Sequence, residues 1–297
     1  MAQFSETEQK IINIFKEKKN NNEDINFMNK IWKVIKVAKP TTSRGEPKTD
    51  VYILLEDNIG NTNEIKISIK QSNADFLENK LQAPRAEELF GIHWSNIIKD
   101  STESIKEEFE KKTLIFKNKE GRTEKGAITL GWKFELLNKS GGKLSGNVKV
   151  SSLEVYSGQS LAEDKRNAYI NGEVIQNSGV ANYILIVNNE AQSNINNILE
   201  SLIPIEKFST DNSSIYFACK ALNLRTKSAN KWDGNRPLAV YVDWSIENGK
   251  LKSTIEYNDP LYTKGNAVAT NLLTCLKELD ITDTDDIDSN NSKSNIN

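Results

Sequence analysis

Asp50, Ser68, Lys70 and Gln71 are residues whose types and spacing could do chemistry together. They stand at the open ends of two runs, DVYILLED and EIKISIK, joined by the turn-forming NIGNTN. Both runs alternate with period two, which predicts a β-hairpin over residues 50–70. Because successive side chains project to opposite faces, Val51, Ile53 and Leu55 share one face with Ile65, Ile67 and Ile69. Asp50, Tyr52, Leu54 and Glu56 then share the other with Glu64, Lys66, Ser68 and Lys70. Matching the two apolar sets requires opposed residues of equal parity, and a turn centred near Gly60 sets Asp50 opposite Lys70 to within two positions. Glu64-Ile65-Lys66 has an acid two residues before a lysine, but Glu64 lies roughly 20 Å along the strand from Lys70, too far to share an ion with Asp50. A cross-strand ion pair on a solvated face would use the same two residues with no chemistry at all.

The elements that must carry this hairpin are legible around it. Ser5 to Lys19 opens with a capping box, Ser5 with Glu8, and sets Ile11, Ile12 and Phe15 at helical spacing. A second helix is predicted from Asp24 to Ala38, with Ile25, Met28, Trp32 and Ile35 on one face and Lys30, Lys33 and Lys36 elsewhere, ended by Pro40. Residues 73–83 read as partly helical, Pro84 starts a helix through Phe90, and Ser101 to Lys112 forms another. Beyond residue 113 the text turns to strands: TLIFKN, AITLGWKFELL, SGGKLSGN, VKVSSLEVY, YILIV, IYFACKALNL, LAVYVDWSI and KLKSTIEYN. Helices are predicted over 161–169, 193–202 and 266–279. The expectation is one α/β (α+β) body with a mixed central sheet flanked by helices and additional antiparallel strands. Residues 1–110 would form its core, 111–280 would add the remaining sheet and recognition elements, and 281–297 would be a disordered acidic tail.

The text GEPKTDVYI followed by EIKISIKQ resembles the PD-(D/E)XK nuclease superfamily, and within it the type II restriction endonucleases, over about 30 residues. The resemblance implies a restriction-endonuclease-like core, Asp50 as a Mg²⁺ ligand, and Lys70 as the lysine that positions or deprotonates the attacking water. Ser68 and Gln71 flank that lysine. It implies a Mg²⁺-dependent DNA endonuclease, restriction-like and sequence-specific, that cuts duplex DNA as a homodimer. Two departures stand out: Pro47 is three residues before Asp50, and Ser68 occupies the usual place of an acid. The second carboxylate would then come from Glu87, Glu78 or Glu46. Phosphodiester hydrolysis needs a hard cation to activate water and neutralise the scissile phosphate, so an oxygen-rich site is the right kind. A degenerate relative that binds DNA without cutting is the alternative.

Composition sets the limits. The net charge of −2 hides an uneven distribution: from Asp280 onward there are five acids and one lysine, so the remaining 38 basic and 36 acidic residues leave the body at +2. Screening of non-specific DNA contacts by that tail is an expectation. Arg225, Lys227, Lys231 and Arg236 in LRTKSANKWDGNR, and Lys33, Lys36 and Lys48 ahead of the hairpin, are candidate phosphate contacts. The two cysteines, Cys219 and Cys275, have no CxxC or Cys/His cluster near them, which suits a reducing cytoplasm and excludes a zinc ribbon or disulfide framework. GxGxxG and GxxxxGK[ST] are absent, and a triad would have only the lone histidine, His93, to draw on, so kinase, NTPase and serine-hydrolase readings are poor. The polar start and the absence of a long apolar run predict a soluble protein that is not exported.

Overall fold

The computed structural model describes residues 2–297 except 44, 73–75, 80 and 188–193, and leaves aside the side chains of 2–5 and 76. It is an α+β protein that divides into two compact units, one of residues 1–75 with 150–213, the other of 76–149 with 214–297. The expected boundary near residue 110 is therefore replaced by an interleaved one.

The first unit is built on a six-stranded mixed sheet. Helix α1 (Ala2–Asn20) precedes β1 (Asp24–Phe27), β2 (Lys30–Ala38), β3 (Val51–Glu56) and β4 (Thr62–Gln71). These four strands form an antiparallel meander; Tyr183–Val187 then lies parallel to β4, and Leu202–Pro204 closes the sheet antiparallel to it. Ile11, Ile12 and Phe15 of α1 pack with Val51, Ile53, Leu55, Ile65, Ile67 and Ile69, while Ile195, Ile198 and Leu199 of the Ile195–Glu200 helix join the same core. The predicted apolar face of the hairpin is thus the buried one. Asn182 fixes the parallel partner of β4: its Oδ1 accepts from the Lys66 N–H at 2.7 Å and its Nδ2 donates to the Glu64 carbonyl at 2.8 Å.

The helix predicted over 24–38 is a β-hairpin instead. The apolar residues can be read at helical spacing (25, 28, 32, 35), but those that become buried are Ile25, Phe27, Trp32 and Val34, the alternating set. Met28 and Asn29 hold φ of 53° and 59°, the left-handed pair of a tight hairpin turn, and Asn tolerates it well. Trp32 closes the turn by donating from Nε1 to the Phe27 carbonyl at 3.0 Å. The capping box at Ser5 lies outside the described side chains, and α1 already begins at Ala2.

The second unit centres on the long strand Ala127–Leu137, flanked by Tyr216–Arg225 and Val240–Glu247, with Lys250–Glu256 next in line and Gly265–Glu278 as its main helix. Of the stretch read as partly helical, 76–78 is a strand and 73–75 and 80 lie outside the described residues. The helix from Pro84 holds as Ala83–Phe90, whereas the one over 101–112 is two shorter pieces, Trp94–Glu103 and Lys106–Glu110. VKVSSLEVY contains a helix, Ser152–Ser157, which belongs to the first unit, because Ser151 caps it by accepting from the Glu154 N–H at 3.3 Å. The tail is ordered as well. Ile281, Thr284 and Ile287 are buried, and the Leu114 and Ile115 N–H groups donate to the Asn295 carbonyl at 3.0 and 3.1 Å. Three apolar or cappable side chains suffice to anchor a segment whose overall composition reads as solvated.

Candidate functional site

β3 and β4 pair with Val51 opposite Ile67 and Ile53 opposite Ile65, so the parity is as expected and the turn is centred on residue 59. Asp57 sets that centre by accepting from the Ile59 and Asn61 N–H groups at 3.0 and 2.8 Å. One residue beyond the last pair, Asp50 faces Ser68, with Lys70 two positions further along β4. Glu64 sits opposite Leu54, where its carboxylate accepts from Tyr52 Oη at 2.6 Å and pairs with Lys66 at 3.4 Å, so it is committed elsewhere.

At Asp50 the two strands part, and the side chain takes over the ladder. The Asp50 N–H donates to the Ile67 carbonyl at 2.8 Å, and the Ile69 N–H donates to Asp50 Oδ2 at 2.7 Å. Burial pushes the Asp50 carboxyl up from its ordinary value to about 6. Lys70 and the Ile69 N–H oppose that rise, the Glu8 carboxylate adds to it, and Lys39 opposes it.

Glu8, read from the sequence as half of a capping box with Ser5, is a carboxylate that acts on Asp50. It lies on α1 one turn before Ile11 and Ile12, is 8% exposed, and pairs with Lys39 just after β2. Lys39 is held above its ordinary value first by that bond to Glu8, against the cost of its own burial, with Asp50 and Glu46 adding. A carboxylate on the inward side of an otherwise apolar helix face was the available signal. The candidate site of the first unit is therefore Asp50, with Lys70, Glu8 and Lys39 acting on it electrostatically, Ser68 fully buried opposite it, and the Thr49 hydroxyl buried without a hydrogen-bond partner among the described residues. Gln71 follows Lys70 at the end of β4, paired in register with Val187.

The other candidates fall elsewhere. Glu46 is exposed, near enough to Lys39 to act on it. Glu78 and Glu87 belong to the second unit, where Glu78 pairs with Arg85 at 3.2 Å and Glu87 is exposed on its helix. Lys33 donates to Asn22 Oδ1 at 2.9 Å, and Lys36 pairs with Glu173 at 2.5 Å. Lys48 lies with its stem against Gly158. Arg225 is neutralised by Glu124 and by Asp233, the latter at 2.6 Å, and Lys227 by Asp285 at 2.5 Å. Lys231, on the short strand Lys231–Trp232, and Arg236 beyond it are exposed, as is His93 at the start of its helix. Cys219 and Cys275 are free and buried.

The donors at Asp50 suit a small hard cation in kind. Mg²⁺ is held by one or two carboxylates, with waters and substrate phosphate completing its shell. Asp50 and Glu8 supply hard oxygen donors, one oxygen of Asp50 being taken by the Ile69 N–H and Glu8 being paired with Lys39. Among the described residues no group of three or more His, Cys, Asp or Glu is gathered around one point. No described helix is long and apolar enough to cross a membrane. Comparison of the chain with family models, with curated proteins and with solved structures returned no match.

Proposed function

We propose that this chain is a Mg²⁺-dependent DNA endonuclease, restriction-like and acting on duplex DNA as a homodimer, with its site at Asp50, Lys70 and Glu8. The observation that carries the reading is the placement of Asp50 at the parting of two strands, its Oδ2 accepting from the Ile69 N–H at 2.7 Å beside buried Ser68, with Lys70 and the Glu8 carboxylate acting on it. Ionisable groups held where burial opposes their charge concentrate at functional sites. When bound, the ion would activate a water and offset charge on the scissile phosphate. Asp50 and Glu8 would hold it, Ser68 would leave room where the resemblance expects an acid, and Lys70 would meet the negative charge that develops on the phosphate.

A second reading, a DNA-binding protein that retains a closed site, is favoured by two contacts: Ile69 already uses one oxygen of Asp50, and Lys39 already engages Glu8. Supercoiled plasmid incubated with the protein in Mg²⁺ and in EDTA separates the two. Nicking or linearisation in Mg²⁺ alone, lost in Asp50→Ala and Lys70→Ala, is the expected result; retarded plasmid that stays intact under both conditions supports the second reading.

A further inference from the structure

Three lysines of the second unit are brought to one place by its backbone. The Gly126 N–H donates to the Phe116 carbonyl at 2.8 Å, and the Thr226 N–H donates to the Gly126 carbonyl at 2.9 Å. Lys117, Lys125 and Lys227 each adjoin one member of this trio in sequence. Gly126 holds φ of 88°, and a Cβ there would fall 2.7 Å from Lys227 Cγ, so the glycine both makes the turn and makes room for the Lys227 stem.

The C-terminal segment lies over this trio. Thr284 Oγ1 donates to the same Phe116 carbonyl at 3.3 Å. Lys227 pairs with Asp285 at 2.5 Å and with Asp283 at 3.3 Å, and Lys125 pairs with Asp285 at 3.0 Å. Lys117 donates to the carbonyls of Asp285 and Ile287 at 3.2 and 2.7 Å. Every one of these lysines therefore meets an oxygen of the tail. We infer that Lys117, Lys125 and Lys227 form a docking surface for the phosphate backbone of a nucleic acid, which the tail covers by placing Asp283 and Asp285 where phosphates would lie.

The covering is built to be exchangeable. The side chains of Lys125, Lys227 and Asp285 are 48%, 34% and 45% exposed, so the pairs are screened by salt and another anion can compete for the same lysines. What keeps the tail in place includes contacts that do not use Asp285: Ile281, Thr284 and Ile287 are buried, and the 3₁₀ turn Thr284–Asp286 is closed by Asp283 and Asp286 accepting backbone N–H groups. The Asp285 side chain takes no part in that closure. Neutralising it releases Lys125 and leaves Lys227 only its longer contact to Asp283, while the buried side chains and the closure of the turn are untouched. The inference rests on the DNA reading above only for the identity of the polyanion, not on any chemistry at Asp50.

The test is binding of a fluorescent duplex by full-length Asp285→Asn in EDTA, where no cutting occurs. The expected result is about fivefold to tenfold tighter binding than wild type at about 50 mM KCl, with the logarithmic salt slope steeper by about one to two. Adding Lys125→Gln and Lys227→Gln to the variant should return both quantities to wild type. Glu107→Gln is the control for net charge, since Glu107 is an exposed carboxylate paired with Lys111 at 3.7 Å in the same unit. No gain in Asp285→Asn, an equal gain in Glu107→Gln, or a gain that survives the two lysine changes would each overturn the inference. A gain as described, alongside an Asp50→Ala variant that cuts like wild type, would sink the nuclease site and leave this surface standing.

Discussion

Asp50 in the first unit and Asp285 in the second are both aspartates with lysines close by, yet their carboxyls shift in opposite directions. Asp285 is held below its ordinary value by its bonds to Lys227 and Lys125, and Glu247 is held down to about 2 by Lys252 and Lys293. Asp50 is pushed up to about 6, because burial outweighs Lys70 and the Ile69 N–H. Asp285 and Glu247 are compensated charges on a surface. Asp50 is a carboxyl held where burial opposes its charge, the condition under which the proposed site differs from a compensated surface pair.

The comparison breaks first on activity. If the uncompensated carboxylate and its lysine do the chemistry, Asp50→Ala and Lys70→Ala should each lower Mg²⁺-dependent plasmid cleavage by about a hundredfold or more, with circular dichroism unchanged. Removal of Asp285 or Glu247 should leave cleavage at saturating DNA as it was. Cutting by Asp50→Ala at the wild-type rate would place the chemistry elsewhere.

Stability gives the next largest effect, and its sign is diagnostic. A carboxyl whose folded value is raised contributes stability that is complete below about 4 and lost as pH rises through about 6. At pH 7 wild type should therefore carry a cost of ionised Asp50 on the order of 2 kcal/mol, discounted because the residue is only half-buried. Asp50→Asn keeps an oxygen for the Ile69 N–H and removes the charge. It should be more stable than wild type at pH 7 in urea denaturation, with the difference closing by pH 4, while losing cleavage. A variant less stable at pH 7 would mean that Lys70 compensates Asp50 after all.

Glu8 sharpens the same contrast. Glu8→Gln removes a neighbouring negative charge, so the Asp50 carboxyl should move down toward its ordinary range. If Glu8 also donates to the ion, the Mg²⁺ concentration giving half-maximal cleavage should rise by about tenfold. An unchanged Mg²⁺ requirement would leave Asp50 as the one carboxylate donor of the pair.

Why the hairpin was readable and the action of Glu8 on Asp50 was not follows from the range of the forces involved. The parity of β3 and β4 is set by alternation within each strand, so Val51, Ile53 and Leu55 and the three isoleucines of β4 declare their face without outside help. The register depends on a loop whose centre Asp57 moves to residue 59, and so Ser68, not Lys70, faces Asp50. The β1–β2 hairpin was misread because its apolar residues satisfy both periods; only the turn at Met28 and Asn29 decides, by adopting positive φ. Glu8 reaches the site across about 40 residues of chain, through the packing of α1 on the sheet, and no local pattern encodes that. The tail misled in the opposite way: its composition is that of a disordered segment, while three buried side chains hold it down.

The smallest expected effect tests the compensated side. Glu247 is drawn down to about 2 by Lys252 at 2.8 Å and by Lys293, so its pairing contributes stability that is present above its ordinary value of 4.5 and lost as pH falls through about 2. Glu247→Gln should therefore be less stable than wild type at pH 7, the opposite sign to Asp50→Asn and a smaller change. Because these groups are exposed, the loss should shrink when NaCl is raised to about 1 M, where the Debye length falls to about 3 Å. Asp50 lies beside a buried strand end, so its effect should persist in the same salt. Denaturation curves for both variants at pH 7, in low and high salt, measure the two signs and the two salt responses together. Equal salt sensitivity at Asp50 and Glu247 would mean that Asp50 is solvated like a surface group, and the difference between the two units would then reduce to one of exposure.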